Sequence, residues 1–150
     1  MTLFSIDTLL PTVSRTVNCP EMTHEPPFVS ILTSFSIICT PFSSKLARNV
    51  YQRYTDQVEP YGMDECWLDI SGTENIFGSP EKVANDIRET IKFELGLTIS
   101  VGVSFNKIFA KLGSDMKKPD AVTVLDDSNW RERIWPIPVS ELLYVGRSTT

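Results

Sequence analysis

Residues 61–72 read YGMDECWLDISG. Two carboxylates, Asp64 and Glu65, stand side by side, and Trp67, Leu68 and Ile70 follow at once. The apolar run with Asp69 inside it reads as a short strand. Gly62, two residues ahead of the acids, permits a sharp turn. Neighbours on a strand point to opposite faces, so both acids reach one ion only near a strand end where the backbone turns. A hard cation such as Mg²⁺ takes a few oxygens from protein and the rest from phosphates and water. Adjacent acids at a strand end therefore suit a metal–nucleotide site. Taken alone, the pair reads first as a solvated acidic turn.

Outward from this strand the pattern alternates. Upstream, residues 44–60 (SKLARNVYQRYTDQVEP) place Leu46, Val50 and Tyr54 four apart on one helical face, with Pro60 as the helix stop. Downstream, residues 79–96 (SPEKVANDIRETIKFELG) carry the marks of a helix. Ser79 can cap it, Pro80 suits its first position, Glu81 favours the positive end of the dipole, and Gly96 can end it. Residues 97–104 (LTISVGVS) alternate strictly, which predicts a strand with unequal faces. NKIFAKLGSDM (106–116) reads as a helix with Ile108, Phe109 and Leu112 inward. AVTVL (121–125) reads as a third strand, and NWRERIW (129–135) as a short helix. The strands near residues 66 and 100 are joined by a helical crossover, which predicts a layered α+β domain with helices on a small mixed sheet.

The chain has 150 residues, 41% of them hydrophobic, enough for one real core. Charged residues make up 22%, an ordinary soluble composition. The net charge of −5 excludes nucleic-acid binding by the whole surface and leaves only a local basic patch for that role. The three cysteines, Cys19, Cys39 and Cys66, fit no zinc spacing and no closed disulfide set, so they read as reduced thiols of a cytoplasmic protein. The single His24 reads as a loop residue. Residues 26–44 carry no charge, yet Ser, Thr and Pro41 break the run too often for a membrane helix. Its place in the chain does not suit a secretory signal. This segment is left without structure or function.

Four lysines gather near a helix–strand corner: Lys107 and Lys111 one turn apart, Lys117 and Lys118 just before Pro119. A lysine in such a place acts as a mobile point charge for phosphate. The residues also suit a solvated basic face. An acidic strand end and a basic corner in one small sheet domain together supply both halves of a phosphoryl-transfer site. The chain has no Walker loop, no GxGxxG and no Ser–His–Asp set, which excludes a P-loop NTPase, a Rossmann dehydrogenase and a serine hydrolase.

YGMDECWLDISG, followed by SVGVSFNKIFAKLGSDMKKPDAVTVL (100–125), resembles the palm of the Y-family translesion DNA polymerases, the DinB and UmuC group. The patterns S-x-D-E-x-x-L-D and G-x-x-x-N-K-x-x-A-K-x-x-S-D-x-x-K-P both match in order, with Gly62 standing where the family often has Ser. The similarity runs from about Lys45 to about Gly146. The resemblance implies a ferredoxin-like palm and template-directed transfer of a nucleotide from a dNTP to a primer past damaged bases. It implies Asp64 and Glu65 as ligands of catalytic Mg²⁺ in a two-metal site, and Lys118 as a contact to the dNTP triphosphate. Primer–template DNA and dNTP are the implied partners, with a sliding clamp engaged through regions this sequence lacks, and no membrane. No DNA-contacting residue is assigned. The "KIFAK" run follows the polymerase pattern and argues against a nucleotidyl cyclase on a similar palm.

The departures are specific. The family's D-x-D-x-F-F strand, source of a third metal carboxylate, has no counterpart; Asp7 is the nearest acid. The fingers motif with Tyr and Arg is missing. Residues 1–44 are therefore expected to be a divergent or out-of-frame remnant, 45–135 the palm, and 136–150 the start of a truncated helix–hairpin–helix thumb. The alternative function is a catalytically inactive palm that acts, if at all, as a binding fragment.

Overall fold

The computed structural model describes residues 28–32 and 41–146. The strand read around Trp67 is β3 (Glu65–Asp69), the second arm of a hairpin whose first arm is β2 (Val58–Tyr61). Ahead of them lie β1 (Phe28–Leu32) and α1 (Pro41–Tyr51). After them come α2 (Glu74–Phe77), α3 (Pro80–Leu95), β4 (Ser100–Ser104), α4 (Lys107–Met116), β5 (Val122–Leu125) and α5 (Trp130–Ile134). A 3₁₀ turn covers Val139–Glu141. Asp7, Cys19, His24 and Cys39 lie outside the described residues.

The five strands form one sheet in the order β2-β3-β1-β4-β5. β1 runs antiparallel to both β3 and β4, and β5 runs parallel to β4. The series β1–α1–β2–β3–α3–β4 is thus the split βαβ of the ferredoxin-like arrangement, extended by α4 and β5. The α+β class and the mixed sheet read from the sequence are both present.

Several local readings need correction. The uncharged segment contributes the central strand: Leu32 pairs with Glu65 on one side and Ser100 on the other. Without charges to alternate against, its period-2 signal was illegible. β3 and β4 are accordingly not adjacent; β1 lies between them. The first helix begins at Pro41 and ends at Tyr51, and Pro60 sits inside β2. β2 is an edge strand, where a residue without an N–H loses no ladder bond. On α1 the buried face is Ser44, Ala47, Val50 and Tyr51; Leu46 and Tyr54 are only half-buried.

α3 follows its punctuation. Ser79 Oγ accepts the Lys82 N–H at 3.3 Å, Pro80 opens the helix, and Gly96 closes it at φ 67° with its N–H on the Lys92 carbonyl. Its Val83, Ala84, Ile87 and Ile91 share one buried cluster with Leu68, Val101 and Val103 of the sheet and with Ile70 just past β3. Each such aliphatic side chain contributes about 1.5–3 kcal/mol on burial.

β4 is buried on both faces, not one. α4 covers the second face, and it does so through small residues. Ala110, Gly113 and Ser114 are buried, while Ile108, read as inward, is 43% exposed. A Cβ on Gly102 would lie 1.8 Å from the Ala110 carbonyl oxygen, so helix and strand backbones touch there. A second cluster of Leu112, Leu125 and Ile134 gathers Phe109, Met116, Trp130, Ile137 and Leu142.

Candidate active site

The β2–β3 turn sets the acids. Gly62 takes φ +67°, a conformation costly for a residue with a Cβ, and lets the chain reverse over three residues between the paired Tyr61 and Glu65. Asp64 ends that turn and is exposed; Glu65 opens β3 and is half-buried. Asp64 lines a small hollow beside Arg48, Tyr51 and Cys66 on the α1 side. Glu65 instead turns to α4, where its Oε1 meets Lys111 Nζ at 3.1 Å.

Asn106 starts α4, accepting the Phe109 N–H on its side-chain oxygen at 2.8 Å. From that start, Lys107, Lys111 and Asp115 recur at four-residue intervals and face the hairpin. Lys107 pairs with Glu59 of β2 and lies over the Trp67 ring, 5.4 Å from its centroid. Lys111 bonds Glu65 and, at 2.9 Å, Asp115 Oδ2. The other oxygen of Asp115 takes Lys118 Nζ at 2.8 Å. Glu65, Lys111, Asp115 and Lys118 thus form one chain of alternating charge from the strand mouth to the corner after α4.

Burial pushes the Glu65 carboxyl above the usual range; Lys111 pulls it back, and Asp64 and Asp115 push it up again. Burial alone would lower the Lys111 ammonium, but its bonds to Asp115 and Glu65 win and raise it. Burial works against the Asp115 carboxylate too, and Lys118 with Lys111 overcomes it and holds the pKa low. Lys111 is therefore held in its charged form, while burial outweighs Lys111 at Glu65.

Of the residues singled out in the sequence, Glu65 and Lys118 join one network, and Asp64 adjoins it through its charge on Glu65. Lys117 is exposed at the end of α4. Two residues carry more than the sequence reading gave them: Lys111, left without a role, and Asp115, passed over. Their i,i+4 spacing, with Lys118 three further on, was the signal available. The match of Lys111 to Glu65, 46 positions apart, needed the fold.

The donor set can be tested against a divalent cation. Two carboxylates whose charges repel are the kind and number of protein ligands Mg²⁺ accepts when phosphates and water complete its shell. Among the described residues no group of three or more His, Cys, Asp or Glu gathers as a metal site. β1 sets Leu32 against Glu65 and brings no acid.

Comparison with known proteins agrees with this architecture. Residues 13–115 match the family model described as IMS: impB/mucB/samB family. A DNA polymerase IV of Acetivibrio thermocellus is 63% identical over 106 residues, 71% of this chain and 27% of that protein. A DNA polymerase IV of Clostridium perfringens is 33% identical over 146 residues, 97% of this chain and 38% of that protein. The chain thus spans well under half the length of these curated relatives. Among solved structures, an insertion ternary complex of Dbh DNA polymerase superposes with TM-score 0.64 at 25% identity, covering 72% of this chain and 32% of that one. A DinB family error-prone DNA polymerase from Sulfolobus solfataricus also gives 0.64 at 25% identity, covering 72% and 33%. The matched span, the relatives and the shared palm architecture together place the chain: it belongs to the impB/mucB/samB family of Y-family, DinB-type proteins.

Proposed function

We propose that this chain carries the nucleotidyl-transfer palm of a translesion DNA polymerase. In this reading it extends a primer on template DNA from dNTPs past damaged bases. The observation that carries the reading is the juxtaposition of Asp64 and Glu65 at the hairpin mouth with a lysine network ending at Lys118. The names of the relatives support it: those quoted are DNA polymerases. Residues 45–135 together with β1 make the palm, and 136–150 begin the thumb.

Each residue has a distinct task. Asp64 and Glu65 offer carboxylate oxygens to divalent metal, with Mg²⁺ the ion their hardness favours. Such a metal pair, once bound, stabilises the attacking and leaving oxygens of an in-line displacement. Lys118, a point charge on a flexible stem at the corner after α4, neutralises the triphosphate. Trp67 and Lys107 brace the hairpin against α4 and keep the two acids in register with the lysines. The protein is cytoplasmic in this reading; among the described residues no helix is long and apolar enough to cross a membrane. A sliding clamp is the further partner of this reading.

One observation favours the second reading, a palm that binds without catalysing. β1, which sets Leu32 against Glu65, supplies no third carboxylate. Titration of the chain with dATP and Mn²⁺ tests the site itself. Binding is expected to require metal, to vanish in Asp64→Ala and to weaken in Lys118→Ala. Equal binding by wild type and Asp64→Ala overturns the site. Primer extension then separates the readings: nucleotide binding without extension leaves the binding fragment.

A further inference from the structure

The strongest unexplained feature is the route of charge behind Glu65. Lys111 is 14% exposed and Glu65 18%, so this pair is sheltered from water as few others here are. Lys111 Nζ is shared: it lies 3.1 Å from Glu65 and 2.9 Å from Asp115. Asp115 is shared in turn, with Oδ2 on Lys111 and Oδ1 on Lys118. Every inner member of the chain has two partners, so one can be lost without stranding a charge.

We propose that Lys111 is a positioning residue, a tethered counter-ion that holds Glu65 until a divalent metal takes its place. This deepens the metal-site reading above and rests on it. Two cations compete for one carboxylate. When the metal takes Glu65, Lys111 keeps its bond to Asp115 and moves its full charge there. A carboxylate holding one ammonium more closely holds a second less well, so Asp115 loosens Lys118. Lys118 is thereby freed for a polyphosphate when metal arrives. Metal and polyphosphate sites are coupled through α4, and by linkage the coupling is reciprocal. No proton moves; only pairing changes.

The geometry suits such an exchange. Lysine carries a compact charge on a four-carbon stem and swings between acceptors without backbone motion. The i,i+4 spacing of Lys111 and Asp115 keeps the second acceptor within reach whichever partner holds the ammonium. Lys107, one turn earlier, is fixed on Glu59 and Trp67 and does not take part.

The test uses the full chain and two probes applied separately. Free Mn²⁺, followed by electron paramagnetic resonance without nucleotide, reads the competition. Lys111→Met removes the competing charge and keeps the stem; Mn²⁺ is expected to bind about tenfold more tightly. Lys111→Arg is expected to stay near wild type. In a Glu65→Gln background the gain from Lys111→Met should disappear. Sodium tripolyphosphate in metal-free buffer reads the second half. Asp115→Asn is expected to bind it several-fold more tightly, and the gain should vanish when Lys118→Ala is added. The Asp115 and Lys118 side chains are 41% and 38% exposed and lie outside both apolar clusters, so their replacement leaves the core intact. Unchanged or weaker Mn²⁺ binding in Lys111→Met, with Mn²⁺ still lost in Asp64→Ala, overturns the counter-ion while leaving the metal site standing. No Mn²⁺ binding by any form removes both.

Discussion

Gly102 and Thr123 show how much one atom decides in this sheet. Gly102 is where α4 rests on β4, and an added methyl would meet the Ala110 carbonyl at 1.8 Å and the Ser114 nitrogen at 2.5 Å. Both are backbone atoms and neither can step aside. Gly102→Ala is therefore expected to lower stability by about 3 kcal/mol or to displace α4, measured by urea unfolding. Thr123, on the neighbouring strand β5, is the opposite case. It is 2% exposed, and its Oγ1 has no hydrogen-bond partner among the described residues. Thr123→Val removes the stranded hydroxyl at constant shape and is expected to raise stability by about 1 kcal/mol in the same assay.

At the scale of elements, α3 is the pillar of the larger core, and its ends answer for it. Ser79→Ala removes the bond to the Lys82 N–H and is expected to cost about 1 kcal/mol. Its far end is tied to the loop before β5 by Asp120, which takes Lys92 at 2.6 Å and Arg88 at 2.7 Å. The Lys92 bond, aided by Arg88 and opposed by slight burial, holds the Asp120 carboxyl below its ordinary value of 3.8. A depressed carboxylate contributes stability above its unfolded pKa, and the contribution is lost as pH falls through the folded one. The acid limb of the stability curve, below about pH 4, should therefore flatten in Asp120→Asn. Asparagine is the fair replacement because this residue sits at φ 55°, which Asn tolerates. An unaltered acid limb in thermal melts across pH would refute the link.

The whole molecule is acidic while its proposed partner is a polyanion. The net charge is −5, and Lys107, Lys111 and Lys118 are each engaged by an acid, so the lysines of this corner offer little free charge to phosphate. Affinity for DNA comes largely from such contacts. The chain alone is expected to bind primer–template duplex feebly, with complexes lost at physiological salt in fluorescence anisotropy. A tight complex at that salt would contradict this. The same whole-molecule view explains the two sides of the acid pair. Asp64 belongs to the α1 side of the hairpin and Glu65 to the α4 side, where Lys111 holds it.

The sequence by itself determined the elements whose signals are local. α3 was legible from Ser79, Pro80 and Gly96, and β3 from its apolar run after two acids. Caps and turns are written within a few residues, which is why these elements could be read locally. What only the tertiary structure decided lies across longer distances. Phe28–Leu32 becomes the central strand because β3 and β4 each need a backbone partner on the edge that faces it. Pro60 sits in a strand because that strand is at an edge. Lys111 meets Glu65 because Gly102 lets α4 lie close against the sheet, and no local pattern carries that contact.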